Sequence, residues 1–288
     1  MMTLPKATAL ILAVSALAAC GGGGGTSGGG GGSTTPPKYL TLSATSAVNS
    51  DLEGRILIVD GSSAEIRAMT GELRHNTRAL TNLTDGTNSL TDADGDDSGT
   101  WTDGTITAQP IPGRSDNFSF AAFYNLIAPT DSGTVVIGIT MDANDIPTVN
   151  TNAGGVTYNG AAIVDGSTDP RGAGQSLGSL GNSILLVDFE GNTIDLTITD
   201  VSGVPYTDIL ITGMAIDAGD RSVFSGGTLT IMDDATDVTA ALLGASVVST
   251  TAGDFFGADA NDNPDEIGGV FAATGDGTGE IYGGFIAD

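Results

Sequence analysis

Ser183-Ile184-Leu185-Leu186-Val187-Asp188-Phe189-Glu190-Gly191-Asn192-Thr193-Ile194-Asp195-Leu196-Thr197-Ile198-Thr199 is the stretch that decides the fold. From Thr193 to Thr199 apolar and polar residues alternate strictly, which gives a strand one buried and one wet face. Ser183 to Phe189 is a more continuous apolar strand, and Glu190-Gly191-Asn192 supplies a tight turn between the two. The pair predicts a β-hairpin.

Similar segments follow at similar spacing: Asp208 to Ile216, Val223 to Ile231, Ala240 to Val248, Ile267 to Ala273 and Glu280 to Ile286, with Val156 to Val164 in front. Short strands separated by turn residues at this spacing predict an antiparallel all-β body. About eight such strands close readily into a barrel, and closure removes exposed sheet edges. Gly213, Gly269 and Gly283-Gly284 lie inside these segments, where they ease tight curvature. The fold class expected is therefore all-β, a C-terminal eight-stranded antiparallel soluble barrel preceded by a smaller, irregular β-rich, handle-like region. In that region Gly54 to Ala68, Trp101 to Ala108, Asn117 to Leu126 and Gly133 to Met141 read as strands, and Glu72 to Leu80 as one short helix.

The N-terminus has a different character. Met1 to Lys6 is weakly positive, Ala7 to Ala16 is an apolar run too short for a mature membrane helix, and Leu17-Ala18-Ala19-Cys20 places small residues before a cysteine. That pattern resembles the bacterial lipobox, in which the thiol takes a diacylglyceryl group before cleavage. Cys20 is the sole cysteine of the 288 residues, so an internal disulfide or thiolate metal cluster is excluded. Gly21 to Pro37, with ten glycines and a closing Pro36-Pro37, reads as a flexible tether. The organisation expected is a signal peptide over 1–19, lipidated Cys20 and tether over 20–37, a β-rich region over 38–150 and the barrel over 151–288. Gly21 beside the lipidated cysteine is compatible with an outer-membrane address.

Charge limits the partners. The chain carries 9 basic and 35 acidic side chains, a net −26. Loss of the leader removes Lys6 and no acid, leaving −27. Such a surface repels nucleic acid and anionic headgroups. Aromatics at 5% and aspartates scattered through the strands do not supply the apolar band of a membrane-spanning barrel.

The C-terminal motifs carry a family resemblance. Phe255-Phe256-Gly257, then Glu266-Ile267-Gly268-Gly269-Val270-Phe271, then Tyr282-Gly283-Gly284-Phe285 resembles the barrel end of the transferrin-binding protein B family, which includes factor H-binding-like surface lipoproteins. Asn144-Asp145-Ile146-Pro147 and Gly155-Val156-Thr157-Tyr158-Asn159-Gly160 are similar to that family's first barrel strand, and Val187-Asp188-Phe189 with Thr193-Ile194 to its next hairpin. The resemblance spans roughly residues 135–288. Ala258 to Asp265 is longer than the family pattern, and the chain has room for one lobe rather than two. The motif residues Tyr158, Gly160, Phe189, Phe255, Phe256, Gly257, Glu266, Gly268, Gly269, Phe271, Gly284 and Phe285 are expected to pack the barrel, with recognition left to variable loops.

Catalysis finds no constellation. His75 is the single histidine, and Trp101, the single tryptophan, reads as strand packing. Asp92, Asp94 and Asp96, and Asp259, Asn261 and Asn263, place oxygens at alternate positions and make candidate calcium loops. EF-hand spacing fails in the first, where Gly95 comes too early and no bidentate Glu closes the loop. The function expected is a non-catalytic lipoprotein anchored to the outer membrane through a covalent lipid on Cys20. It would be displayed outside the cell and bind a host protein or solute in the manner of iron acquisition. The alternative is a structural or adhesive envelope lipoprotein with calcium-binding acidic loops. No cofactor besides the lipid and Ca2+ is implied, and no nucleic acid.

Overall fold

Two rings of strands make up the folded body. The structure, a computed structural model, describes residues 50–60, 63–74, 79–84, 89–92, 101–102, 107–110, 120–127, 131–166, 179–257, 263–276 and 279–288. Cys20, the expected signal peptide and tether, His75, Asp94, Asp96, Asp259 and Asn261 lie outside them.

The first ring is a meander of β1 (Ser50–Asp60), β2 (Ser63–Arg74), β3 (Ala79–Thr84), β4 (Ser89–Asp92), β5 (Trp101–Thr102), β6 (Thr107–Pro110), β7 (Ala121–Ile127) and β8 (Asp131–Gly138). Each pairs with the next, and β1 pairs with β8 over Glu53–Asp60, closing the ring. This part is more regular than its sequence suggests. Gly54 to Ala68 is the heart of a hairpin rather than one strand, with Asp60 opposite Ser63. The described ends of the expected helix over Glu72 to Leu80 are strand instead: Glu72 pairs with Asn82, Leu73 with Leu80 and Arg74 with Ala79. Its Glu, Leu and Arg favour helix intrinsically, but pairing between two strands overrides so weak a preference.

The second ring holds β9 (Val156–Gly166), β10 (Ser179–Asp188), β11 (Thr193–Thr199), β12 (Asp208–Ile216), β13 (Val223–Asp233), β15 (Val248–Phe256), β16 (Glu266–Thr274) and β17 (Glu280–Ala287). A two-residue strand β14 (Thr236–Asp237) and a one-turn helix α1 (Thr239–Leu243) fill the connection from β13 to β15. Neighbours are antiparallel, β12 pairs with β13 and β17 with β9, so eight strands close into a barrel. The expected strand over Ala240 to Val248 is displaced. Its first half is α1, and the strand itself begins at Val248 and runs to Phe256.

Alternation fills the barrel. Leu185, Val187, Ile194, Leu196, Ile198, Ile209, Ile211, Met214 and Ile231 point inward with Phe189, Phe224, Phe255, Phe271 and Phe285, all within 1% of full burial. Phe224 and Phe255 pack with their rings tilted by 58° at 5.5 Å between centroids, and Phe189 and Phe255 tilted by 41° at 5.8 Å. A smaller core of Leu52, Ile56, Met69, Tyr124, Leu126, Val135 and Ile137 fills the first ring.

A third apolar cluster lies between the rings. Leu57, Val59, Ala121, Phe123 and Val136, from the outer face of β1, β7 and β8, meet Ile163, Phe256, Val270, Ala272, Tyr282 and Ile286. The latter come from the outer face of β9, β15, β16 and β17. These strands are therefore buried on both faces, and β7, β16 and β17 are buried almost throughout.

Candidate binding surface

Most motif residues face inward or sit between the rings. Tyr158, Phe189, Phe255, Phe271 and Phe285 lie in the barrel interior, and Phe256 belongs to the inter-ring cluster. Burial and the charge of Asp265 push the Tyr158 hydroxyl well above the usual tyrosine range.

The glycines mark close approaches. A Cβ at Gly284 would meet Thr134 Cγ2 at 2.6 Å and Phe123 Cε2 at 2.8 Å, and one at Gly268 would meet Val136 Cγ1 at 2.8 Å. Both therefore let the first ring approach the barrel wall. At Gly160 and Gly269 a Cβ would instead press on the backbone of neighbouring strands, at Ile286 and Ala252. Gly257 ends β15 with its φ at +157°, next to Asp265.

Glu266 has a definite task. Its carboxylate is 3% exposed and accepts N–H bonds from Phe120 at 3.0 Å and Ala121 at 2.7 Å, across the boundary between the rings. Asp254, 2% exposed, does the same at a second point: Arg55 donates to it through Nε and Nη2, each at 3.0 Å. Burial pushes the Asp254 carboxyl up to about 6, Arg55 pulls it down by charge and hydrogen bonds, and Glu53 and Asp220 push it up. Neither Arg55 nor Asp254 stands out in the sequence. The signal was there, since Asp254 alternates outward from Gly253 and Phe255 once Val248 to Phe256 is taken as a strand.

The barrel ends differ in their connections. At one end Arg221 donates Nη2 to the carbonyls of Pro147 at 2.6 Å and Phe189 at 3.3 Å, and Nη1 to Asn192 Oδ1. Asn150 adds a bond from Nδ2 to Asp188 at 2.7 Å and accepts from the Phe189 N–H at 2.9 Å. These tie the segment before β9 to the β10–β11 turn. The opposite end joins β9 to β10, β11 to β12, β13 to β15 and β16 to β17. Asp200, Asp208, Asp233, Asp234, Asp237 and Asp276 cluster there, with no basic residue among the described ones at that end. Backbone N–H groups of Ala245 and Ser246 hold the Asp276 carboxyl below its usual range, and Thr239 does so for Asp237.

Among the described residues no group of three or more His, Cys, Asp or Glu side chains could hold a metal. Of the two candidate calcium loops, the described residues include Asp92, which ends β4, from the first, and Asn263 from the second; Asn263 Nδ2 donates to Thr151 Oγ1 at 3.3 Å.

No family model matches the chain, and no curated protein does. Solved structures do resemble it. Isotype 1 transferrin binding protein B from serogroup B Neisseria meningitidis aligns at a TM-score of 0.52 and 15% identity, over 82% of this chain and 43% of that one. A Haemophilus parasuis transferrin binding protein B mutant aligns at 0.47 and 17%, over 82% and 44%. HpuA from Kingella denitrificans, solved in complex with human haemoglobin, aligns at 0.42 and 13%, over 88% and 92%. At these identities the likeness is one of fold, and the chain spans less than half the length of the transferrin binding proteins it matches. The chain has a transferrin-binding-protein-B-like fold, an antiparallel barrel docked against a second ring of strands.

Proposed function

We propose that this chain is a non-catalytic binding lipoprotein, anchored to the outer membrane through Cys20 and displayed outside the cell, where it captures a host protein. The observation that carries the reading is the filled barrel. Its interior is occupied by fully buried aromatic and aliphatic side chains, so a partner meets the loops and outer surface. The fold, shared with a protein named for binding transferrin, supports the same reading. An iron-carrying host protein is the first partner class to test, and a small solute at the loop end the second.

Protease treatment of intact cells of the native host, with Cys20→Ala beside the native chain, tests it. Shaving of the native body from whole cells is expected, with the Cys20→Ala chain lost from the membrane fraction. Protection until the outer membrane is broken overturns surface capture.

A calcium-dependent adhesive role is the second reading, and one observation favours it. Asn263 Oδ1 is buried without a hydrogen-bond partner among the described residues, an acceptor that a cation at the adjoining acidic loop would satisfy. Calcium would raise the melting temperature and a chelator lower it; indifference to both removes this reading.

A further inference from the structure

Half of the barrel's outer wall is covered by the first ring, and no described residue covers the other half. The covered half shows what kind of surface docks on this barrel. Its centre is apolar, with Ile163, Val270, Ala272 and Ile286 against Leu57, Phe123 and Val136. At its margin the Asp254 carboxylate is met by the Arg55 guanidinium.

This open half, across β10 to β13, repeats that chemistry with no described residue over it. Asn159, Ile184, Thr197, Leu210 and Thr230 stand side by side on five neighbouring strands and form one row without a charge. At about 4.8 Å per strand this row is roughly 20 Å long. Beside it lie Leu186, and Thr212 opposite Thr228. Ile184 and Leu186 are 39% and 42% exposed, two large aliphatics on one outer face of a chain carrying net −26. Asp195 is the one carboxylate opposite them, and it is engaged by the Gly213 N–H at 2.8 Å. Among the described residues acids outnumber bases at both margins: Glu190, Asp217 and Asp220 beside Arg221 at one, Asp200, Asp233 and Asp234 at the other.

We infer that this open face docks a protein bearing an apolar centre flanked by Lys or Arg. Charge complementarity selects that occupant. A neutral centre with acidic margins matches a surface with cationic margins, as Arg55 matches Asp254 on the covered half. A second copy of this chain would set the same acidic margins against each other. The inference rests on the protein-binding reading above and adds the surface and the chemistry of the partner.

The test places a benzophenone photoprobe at Leu186 or, as an off-face control, at exposed Ala240 on α1, in the full-length chain on intact cells given host serum. The cross-linked protein is identified, purified and titrated against the native chain, Ile184→Glu/Leu186→Glu and Ile184→Thr/Leu186→Thr. The threonine pair retains strand propensity and keeps the test valid where the glutamates disturb folding. Expected are an adduct from position 186 and not from 240, Lys or Arg flanking the cross-linked site, and an affinity loss of about tenfold or more in both variants. Binding should also weaken from about 0.05 to about 0.5 M salt. No adduct at 186, equal adducts at both positions, an adduct with a second copy, unchanged affinity or salt-insensitive binding overturns the inference. Unchanged affinity in a protein that still binds rejects this face alone; protection of the body from protease on whole cells rejects the surface-capture reading beneath it.

Discussion

At the level of single residues, glycines in this chain serve two separable purposes, and substitution distinguishes them. Gly213 has φ +71°, and a Cβ placed there would find nothing within 4 Å, so Gly213→Ala meets only backbone strain. It should cost about 1 kcal/mol in urea unfolding. Gly284 has ordinary backbone geometry but faces Thr134 and Phe123 closely, so Gly284→Val must push the rings apart, at about 1–3 kcal/mol. Glu266 gives a third residue-level expectation. Glu266→Ala leaves the Phe120 and Ala121 N–H groups without their acceptor and opens a gap at the boundary, which should lower stability by about 2–4 kcal/mol. Glu266→Gln, keeping one oxygen, should cost less. A glutamate in a glycine-aromatic motif thus has a cause that motif matching does not reveal, because its partners lie 145 residues away in sequence.

Elements were legible in proportion to how cleanly one face is buried. β11 and β12 alternate, and periodicity places both at their observed bounds, Thr193–Thr199 and Asp208–Ile216. β7, β16 and β17 are buried on both faces, so alternation is lost there, and glycine and aromatic composition marked them instead. The misreading at Ala240 to Val248 has a local cause. Leu242, Leu243, Val247 and Val248 look like a strand, but Leu242 N–H bonds to Val238 O and Gly244 N–H to Ala240 O, each at 3.0 Å, which closes one helical turn. Thr239 anchors that turn, its hydroxyl accepting the Ile231 N–H at 2.7 Å. Thr239→Val should unseat the turn and cost about 1–2 kcal/mol, read by urea unfolding, with far-ultraviolet β signal kept. The first ring looks irregular in the sequence because β4, β5 and β6 are four, two and four residues long, too short for a period to show.

For the molecule as a whole, acid stability should follow Asp254. Its carboxyl ionises at about 6 in the folded protein against 3.8 unperturbed, so between these values the folded state holds the extra proton. The contribution is therefore present below about pH 4 and is lost as pH rises through about 6, a difference on the order of 2–3 kcal/mol. Burial moves Glu280 in the same direction. Asp142, Asp188 and Asp217 have carboxyls lowered by hydrogen bonds and act oppositely, weakening the fold once pH falls through their own range. Urea unfolding should thus show greater stability near pH 4.5 than at pH 7, and Asp254→Asn should flatten that slope. A native protein whose stability rises steadily from pH 4 to 7 would contradict the assignment. The docking of two rings was not readable from sequence, since outward apolar residues on β1, β7 and β8 look the same whether they meet solvent, lipid or a neighbouring wall.

The pairing of β17 with β9 joins residues near 160 to residues near 287 and is the last seam of the barrel to become available as the chain is made. The first ring faces no such wait, because its closing pair is complete at Gly138. During synthesis the early ring can finish while the wall it leans on does not yet exist. Leu57, Val59, Phe123 and Val136 then stand bare until some 150 further residues emerge. That interval is a period of stickiness built into the order of the gene, and it makes a holding chaperone most useful to the half-made chain rather than to the finished one.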